Sequence, residues 1–401
     1  MKKFMFSERR KAMSIKPIIL TGLSCAGKST IAKELQKTGN YIIVDAVTTR
    51  PQRKDDFNYN YCGKDTFEKH IENDDFLINT TYLNHYYGIL KLDYDATMSK
   101  NKTPILILSA ESVQTLLNEK NFDCTCFFID ANDDLILERY KKREKYNKEK
   151  YKALMLQNCN DRTYSNKANY VIKSTSNNLE DIIELIEVLV HTTNIGGGLS
   201  GRIIKLMLRC GMLLDNATES SVKGASYDLL LGDEYYYDGK INHLTNSSSF
   251  LTIEPYDYAI VSCKESARIP RDIIGKFGLT VGLFCQGIIL SNGPQIDPGF
   301  NGTLFCLLFN TSNRAVHLKR GMHYATIEFN KLLEPAPLYE GDYQGKSKII
   351  DYIPANALHG AINELKKEIE KLKNESRIMQ NIYLGVVALM FAILSILLVL
   401  K

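Results

Sequence analysis

Apolar and polar positions along this chain fall into three regimes. Between Lys16 and about Thr192, compact apolar runs at 17–20, 41–44, 104–108, 124–129 and 170–172 alternate with stretches of helical spacing. That alternation predicts an α/β domain, a parallel sheet flanked by helices. From 202 to about 350 the apolar runs shorten (250–253, 258–261, 287–290, 303–309, 324–329) and are separated by Gly, Pro and Asn turns, which predicts an all-β sandwich or distorted barrel. Beyond 350, Leu358, Ile362, Leu365, Ile369, Leu372, Ser376 and Met379 recur at spacings of four and three with Lys and Glu between them. This is a three-heptad coiled-coil signal over 356–380, with an amphipathic helix folded back on the domain as the alternative. Ile382 to Leu400 carries no charge and is long enough to cross roughly 30 Å of hydrocarbon, so a transmembrane helix is expected.

Two short stretches punctuate these regimes. Residues 1–15 are basic but lack the apolar core of a secretory signal. Residues 193–201, containing Gly196, Gly197 and Gly198, read as a flexible linker between domains assigned to 16–192 and 202–350.

Composition narrows the reading further. A chain of 401 residues suggests two or three domains, and 44% hydrophobic content excludes a largely disordered one. A net charge of +4 gives no electrostatic footprint that demands nucleic acid. The nine cysteines are scattered without a CxxC pair, so they read as reduced, cytosolic, mostly packed thiols rather than a disulfide framework or zinc site. Lys366, Lys367, Lys371, Lys373 and Arg377 precede the apolar tail and only Lys401 follows it, which places the N-terminal bulk in the cytoplasm with a C-terminal membrane anchor.

The strongest chemical signal is Gly22-Leu23-Ser24-Cys25-Ala26-Gly27-Lys28-Ser29-Thr30, a match to GxxxxGK[ST] between an apolar strand and a helix. Its glycines let backbone N–H groups face phosphate oxygens at a helix N-terminus, Lys28 would reach the β/γ-phosphates of ATP, and Ser29 would ligate Mg²⁺.

Around this loop, Thr48-Thr49-Arg50-Pro51-Gln52-Arg53, Tyr59-Asn60-Tyr61, Tyr86-Tyr87-Gly88 and Ala168-Asn169-Tyr170-Val171-Ile172 follow one another in an order that resembles guanylate kinase. Arg50 and Arg53 are spaced to fork around a monophosphate, with Tyr59 and Tyr87 as phenol donors beside it. The resemblance implies that Arg139 and Arg143 act as lid arginines in phosphoryl transfer beside the catalytic Lys28, the alternative being a solvated helix face. It also exposes departures. Ile78, Ile89, Ile107, Ser109 and Ala46 stand where the family carries groups that read guanine or bind Mg²⁺. Guanine against isoleucine leaves hydrogen bonds unmade, so GMP is expected to be a poor substrate. Asp130 or Asp45 are the candidates to replace the lost carboxylate.

The second domain resembles dCTP deaminase and the related dUTPases through the blocks at 224–232, 269–270, 295–302, 321–322 and 339–345. The resemblance implies a homotrimer with sites at subunit interfaces. Leu307 occupies the position of the family's general acid/base glutamate, and Thr280 to Cys285 replaces its charged triphosphate-binding segment. Deamination is therefore expected to be absent. Asp297, Tyr343 and Gln344 mark a second candidate nucleotide site, where Asp297 serves hydrolysis, sugar recognition or a turn. Ile at a with Leu at d favours a two-stranded coil, which disagrees with the trimer; the larger barrel interface is expected to decide.

Three functions fit this architecture. The leading one is a membrane-anchored nucleotide sensor or effector, with antiviral defence as its natural setting because phages disturb nucleotide pools. An active nucleoside-monophosphate kinase of non-guanine specificity and a protein-interaction scaffold are the alternatives.

Overall fold

The computed structural model describes residues 16–399 apart from 54–55, 120–121, 144, 247–248, 292, 294 and 354–360. The N-terminal extension, part of the coiled-coil segment and the last two residues thus lie outside the described residues.

The first lobe is built on β1 (Ile18–Gly22), whose five residues are all buried, as expected for a strand covered on both faces. The chain runs from β1 through α1 (Lys28–Lys37) to β2 (Tyr41–Ile43), β3 (Ala46–Thr48), β4 (Tyr59–Tyr61) and α2 (Lys64–Glu72). It continues as β5 (Phe76–Tyr82), β6 (His85–Leu90), α3 (Lys91–Met98), β7 (Thr103–Ile107) and α4 (Ala110–Glu119). The lobe closes with β8 (Thr125–Asp130), α5 (Asp133–Arg143), α6 (Lys148–Thr163), β9 (Tyr170–Lys173) and α7 (Leu179–His191).

Five strands form a parallel sheet in the order β2-β7-β1-β8-β9, so the α/β reading and its strands hold. A second sheet, β4-β3-β6-β5, was not foreseen. Its strands alternate too weakly to register as strands by themselves. Packing makes them: Phe67 on α2 stacks against Phe76 at 4.5 Å between ring centroids, over Val47. The β5–β6 hairpin turns on Leu83 and Asn84, both at positive φ (48° and 64°), the geometry that tight two-residue hairpins require.

The second lobe comprises β10 (Gly197–Gly198), α8 (Gly201–Arg209), β11 (Leu213–Asp215), β12 (Tyr227–Tyr237), β13 (Lys240–His243), β14 (Phe250–Ile253) and β15 (Tyr258–Arg268). Then come β16 (Ile273–Leu279), α9 (Val281–Phe284), β17 (Ile288–Ser291), β18 (Asn301–Asn310), β19 (Val316–Lys319) and β20 (His323–Lys331). Nine strands form a curled antiparallel sheet, and β14 pairs with β19 beside it. Register shifts in the β12–β15 and β15–β18 pairings bend the sheet around its core.

The glycine stretch differs from the flexible linker expected of it. Gly197 and Gly198 pair with Lys331 and Asn330 of β20, and α8 starts at Gly201. A Cβ on Gly201 would lie 2.1 Å from the Lys223 carbonyl oxygen, so glycine here serves close backbone approach rather than freedom. The lobes are joined firmly. The Lys173 N–H donates to Cys210 O at 2.9 Å, and Asn178 Nδ2 donates to both Lys173 O and Arg209 O. The Tyr170 hydroxyl donates to buried Asp272, and Lys331 Nζ donates to Thr192 at 2.9 Å. Apart from the separate group of Val47, Phe67 and Phe76, the buried hydrophobic side chains described form one continuous cluster across both lobes.

After the second lobe, the Ile349 N–H donates to Glu234 Oε2 and Tyr352 packs on Tyr343 and Phe305. The last element among the described residues is α10 (Ala361–Val399), a continuous 39-residue helix. Ile369, Leu372 and Met379 of the heptad pattern are exposed on it, and the helix is long and apolar enough to cross a membrane.

Candidate functional site

The loop between β1 and α1 is held open by two glycines. Gly22 has φ 118°, and a Cβ there would lie 2.2 Å from Ile129 O; Gly27, at φ 107°, caps α1. Cys25 between them is also left-handed at φ 64°. This leaves Ser29 and Thr30 exposed at the helix N-terminus, while Leu23 and Ala26 are buried beneath. The half-buried Lys28 donates from Nζ to Gly22 O (2.7 Å) and Leu23 O (2.8 Å). Burial lowers its pKa to about 8, against the opposing pull of Asp161 and Cys25.

The loop opens into a cavity of about 640 Å³. Gly22, Ser24, Cys25, Gly27, Lys28, Ser29 and Thr30 line one end; Arg50, Arg53, Tyr59 and Tyr87 line another wall. Ala46, Ile78, Ile89, Ile107 and Ser109, where the resemblance to guanylate kinase led one to expect groups that read guanine or bind Mg²⁺, also line the cavity. Residues expected to form one site from distant parts of the sequence are thus gathered around one space.

Three details differ from the expectation. Arg50 was expected to fork around a phosphate, but its guanidinium forks on Asp56 instead, with both bonds at 2.7 Å and the side chain 4% exposed. It also lies 4.6 Å from the Tyr59 ring centroid. Burial disfavours the ionised Asp56, yet hydrogen bonds from Arg50, Tyr61 and the Arg53 N–H hold its pKa at about 2. Arg53 lines the cavity beside it. The phenols of Tyr59 and Tyr87 are pushed upward by burial and remain protonated donors.

Arg139 grips the backbone of the phosphate loop. Its Nη1 donates to Ala26 O (2.7 Å), and both Nη atoms reach Ser174 Oγ (3.2 Å), with Nη2 also on Thr175 O. Arg143 Nη1 lies 4.0 Å from Cys25 Sγ. Both arginines line the cavity, as do Ser174, Thr175 and Ser176.

Neither Asp130 nor Asp45 lines the cavity; the carboxylates in its wall are Asp56, taken up by Arg50, and Asp161. Asp130 is paired with Arg162, and Asp45 is exposed and outside the lining. Asp161 lies on α6, accepting from Gln157 Nε2 at 2.9 Å and from Tyr82 Oη at 3.5 Å. Its pKa is raised by burial. Neighbouring Asn158 accepts from the Ser24 N–H at 2.8 Å. Sequence reading missed Asp161 and Tyr82 because a helix-face Asp and a strand-end Tyr carry no motif. Among the described residues no cluster of three or more His, Cys, Asp or Glu could hold a metal. The hard oxygens of Ser29 and Asp161 at the cavity fit Mg²⁺ held largely through phosphates.

In the second lobe, half-buried Asp297 accepts from Gln295 Nε2 at 3.1 Å, and its carbonyl closes a turn with the Phe300 N–H. Gln344 clamps the same turn, accepting from the Asn301 N–H and donating to Gly299 O, both at 2.9 Å. The Tyr343 ring stacks on Tyr352 at 5.2 Å. The three candidate residues share one corner, with Gln344 bonded to backbone and Tyr343 stacked on a neighbouring ring. Leu307 sits on β18 opposite Ile260 and Ser291. Val281 and Phe284 of α9 are exposed (75% and 70%), so that segment presents apolar surface.

A P-loop nucleotide-binding fold joined to a curled antiparallel β lobe defines the class of the molecule. The guanylate kinase family model matches residues 14–193, and the dCTP deaminase-like model matches 199–332. The dCTP deaminase of Thermococcus kodakarensis is 38% identical over 143 residues, covering 35% of this chain and 91% of that protein. The guanylate kinase of Mesomycoplasma hyopneumoniae (strain 7448) is 33% identical over 144 residues, 33% of this chain and 73% of the relative. Among solved structures, guanylate kinase from Anaplasma phagocytophilum aligns at 16% identity with a TM-score of 0.36, covering 45% of this chain and 86% of its own. The chain belongs to two families at once, guanylate kinase in its N-terminal part and dCTP deaminase-like in its middle part.

Proposed function

We propose that this chain is a membrane-anchored, nucleotide-responsive protein whose first lobe binds Mg·ATP and a nucleoside monophosphate other than GMP. Its second lobe keeps a deaminase-like fold without deaminating dCTP. One observation carries the reading: a single cavity of about 640 Å³ joins the phosphate loop, the Arg53–Tyr59–Tyr87 wall and an apolar chamber. That arrangement suits two substrates meeting at their phosphates.

In this reading, loop N–H groups and Lys28 receive the ATP phosphates, and Lys28 leaves its carbonyl partners to do so. Ser29, with Asp161 near, would hold Mg²⁺, which supplies positive charge between the phosphate groups. Arg53, with Tyr59 and Tyr87, orients the acceptor phosphate, and Arg139 and Arg143 add charge beside the loop. Ala46, Ile78, Ile89 and Ile107 take the base. In the second lobe, Leu307 offers no proton carrier and the exposed Val281 and Phe284 offer no charge to a triphosphate. The interlobe bonds support a sensing role, because Ser174 and Thr175 line the cavity while Asn178, three residues further on, bonds Arg209 of the second lobe. We further propose a homotrimer anchored through α10 with its bulk in the cytoplasm, acting in antiviral defence.

The completeness of the phosphate loop favours a second reading, an active monophosphate kinase. Incubating a panel of ribo- and deoxyribonucleoside monophosphates with Mg·ATP, with Lys28→Ala as control, separates the two. ADP release above the Lys28→Ala background identifies the kinase; a rise in melting temperature with ATP but no ADP supports the sensor. Absence of both refutes nucleotide binding and leaves the interaction scaffold. Deleting 382–401 should abolish protection against phage; intact protection would remove the membrane from the account.

A further inference from the structure

Tyr82 is the last residue of β5, at the tip of the hairpin whose strands carry Ile78 and Ile89 of the base chamber. Its hydroxyl lies 2.9 Å from Ser24 Oγ in the phosphate loop and 3.5 Å from Asp161 Oδ2 on α6. On its other side, the Tyr82 ring meets Tyr87 edge-on at 6.4 Å, Tyr87 meets Tyr59 edge-on at 6.3 Å, and the Arg50 guanidinium lies over Tyr59. A line of contacts therefore runs from the arginine–tyrosine wall to the phosphate loop, and its last link is one hydroxyl pair. Burial first, then Asp161, raises the Tyr82 phenol, so it stays a protonated donor. Ser24 is fixed from the opposite side as well, its N–H held by Asn158.

We propose that Tyr82 is a positioning residue that couples the two nucleotide subsites, so that filling the acceptor-phosphate wall and filling the phosphate loop favour each other. This rests on the nucleotide reading above. The second sheet joins the main one through the chain at β2–β3 and β6–α3, and any shift of its strands on an acceptor phosphate moves the hairpin tip. The tip is bonded to the loop that receives the donor phosphates. A hydroxyl–hydroxyl bond contributes about 0.5–1.5 kcal/mol net, which is about 2- to 10-fold in a coupling constant.

The test uses the full chain in detergent. The probes are a fluorescent ADP analogue with Mg²⁺ and, in parallel, ribose 5-phosphate or 2-deoxyribose 5-phosphate, which carry the sugar and phosphate of the ribo- and deoxyribonucleoside monophosphates and leave the base chamber aside. In the wild type, saturating ribose 5-phosphate or 2-deoxyribose 5-phosphate should tighten the ADP analogue several-fold; in Tyr82→Phe that factor should fall toward one. Should Tyr82→Phe melt early, Ser24→Ala removes the same bond from the other side and should act alike. Equal coupling in wild type and variant overturns the proposal. So does no coupling in the wild type, or a uniform weakening of both ligands with coupling unchanged, which marks a merely structural tyrosine. A wild type that binds no ADP analogue refutes the nucleotide reading itself, a distinct result.

Discussion

Replacing Asp56 by Asn tests whether the Arg50–Asp56 pair holds the acceptor wall together. The pair is two-pronged with both bonds at 2.7 Å, and its side chains are 4% and 11% exposed, so solvent screens it little. Asp56 is held at about 2 against an ordinary 3.8. A depression of that size, at about 1.4 kcal/mol for each tenfold change in acidity, gives roughly 2–3 kcal/mol of stability from ionised Asp56. The sign follows from the folded pKa being depressed. The contribution is fully present above the unfolded value near 4 and is lost as pH falls through about 2. Breaking a buried ion pair outright costs about 3–5 kcal/mol, but Asn keeps an acceptor for the Arg53 N–H and Tyr61, so the lower figure applies to Asn and the higher to Ala. Circular dichroism melts of the detergent-solubilised chain should show Asp56→Asn melting about 5 °C lower at pH 7, with the gap narrowing as pH drops from 5 to 3. Equal melting at pH 7, or a gap independent of pH, would refute the reasoning.

Other outcomes follow from the same structure. GMP should bind the first lobe more weakly than the preferred monophosphate by about 1–3 kcal/mol for each guanine donor left unpaired, and Ile78→Glu should narrow that gap in calorimetric titrations. Gly22→Ala places a Cβ 2.2 Å from Ile129 O at φ 118°, so it should abolish binding of the fluorescent ADP analogue and lower the melting point. Incubation with dCTP should yield no dUTP by chromatography. Leu307→Glu alone should not restore it, because Val281 and Phe284 still offer no charge to the triphosphate.

Much of this protein could be read before any coordinates. The GxxxxGK[ST] spacing with its flanking strand and helix fixes where phosphate goes, because that backbone conformation needs glycines at set positions. Apolar period separates the α/β lobe from the β lobe, and the uncharged run from Ile382 marks a helix long and apolar enough to cross a membrane. Ile78, Ile89 and Leu307 are legible as apolar residues at positions where the two resemblances lead one to expect polar groups, and the first two line the cavity. What tertiary structure alone decided are the pairings between residues with no local signature. Asp56 takes the charge of Arg50, Asp161 enters the cavity from a helix face, and Tyr82 reaches the loop from a hairpin tip. The second sheet and the junction of the lobes belong to the same group. A glycine run reads as slack until β20 lies close enough to pair with it, since close approach and flexibility draw on the same missing side chain.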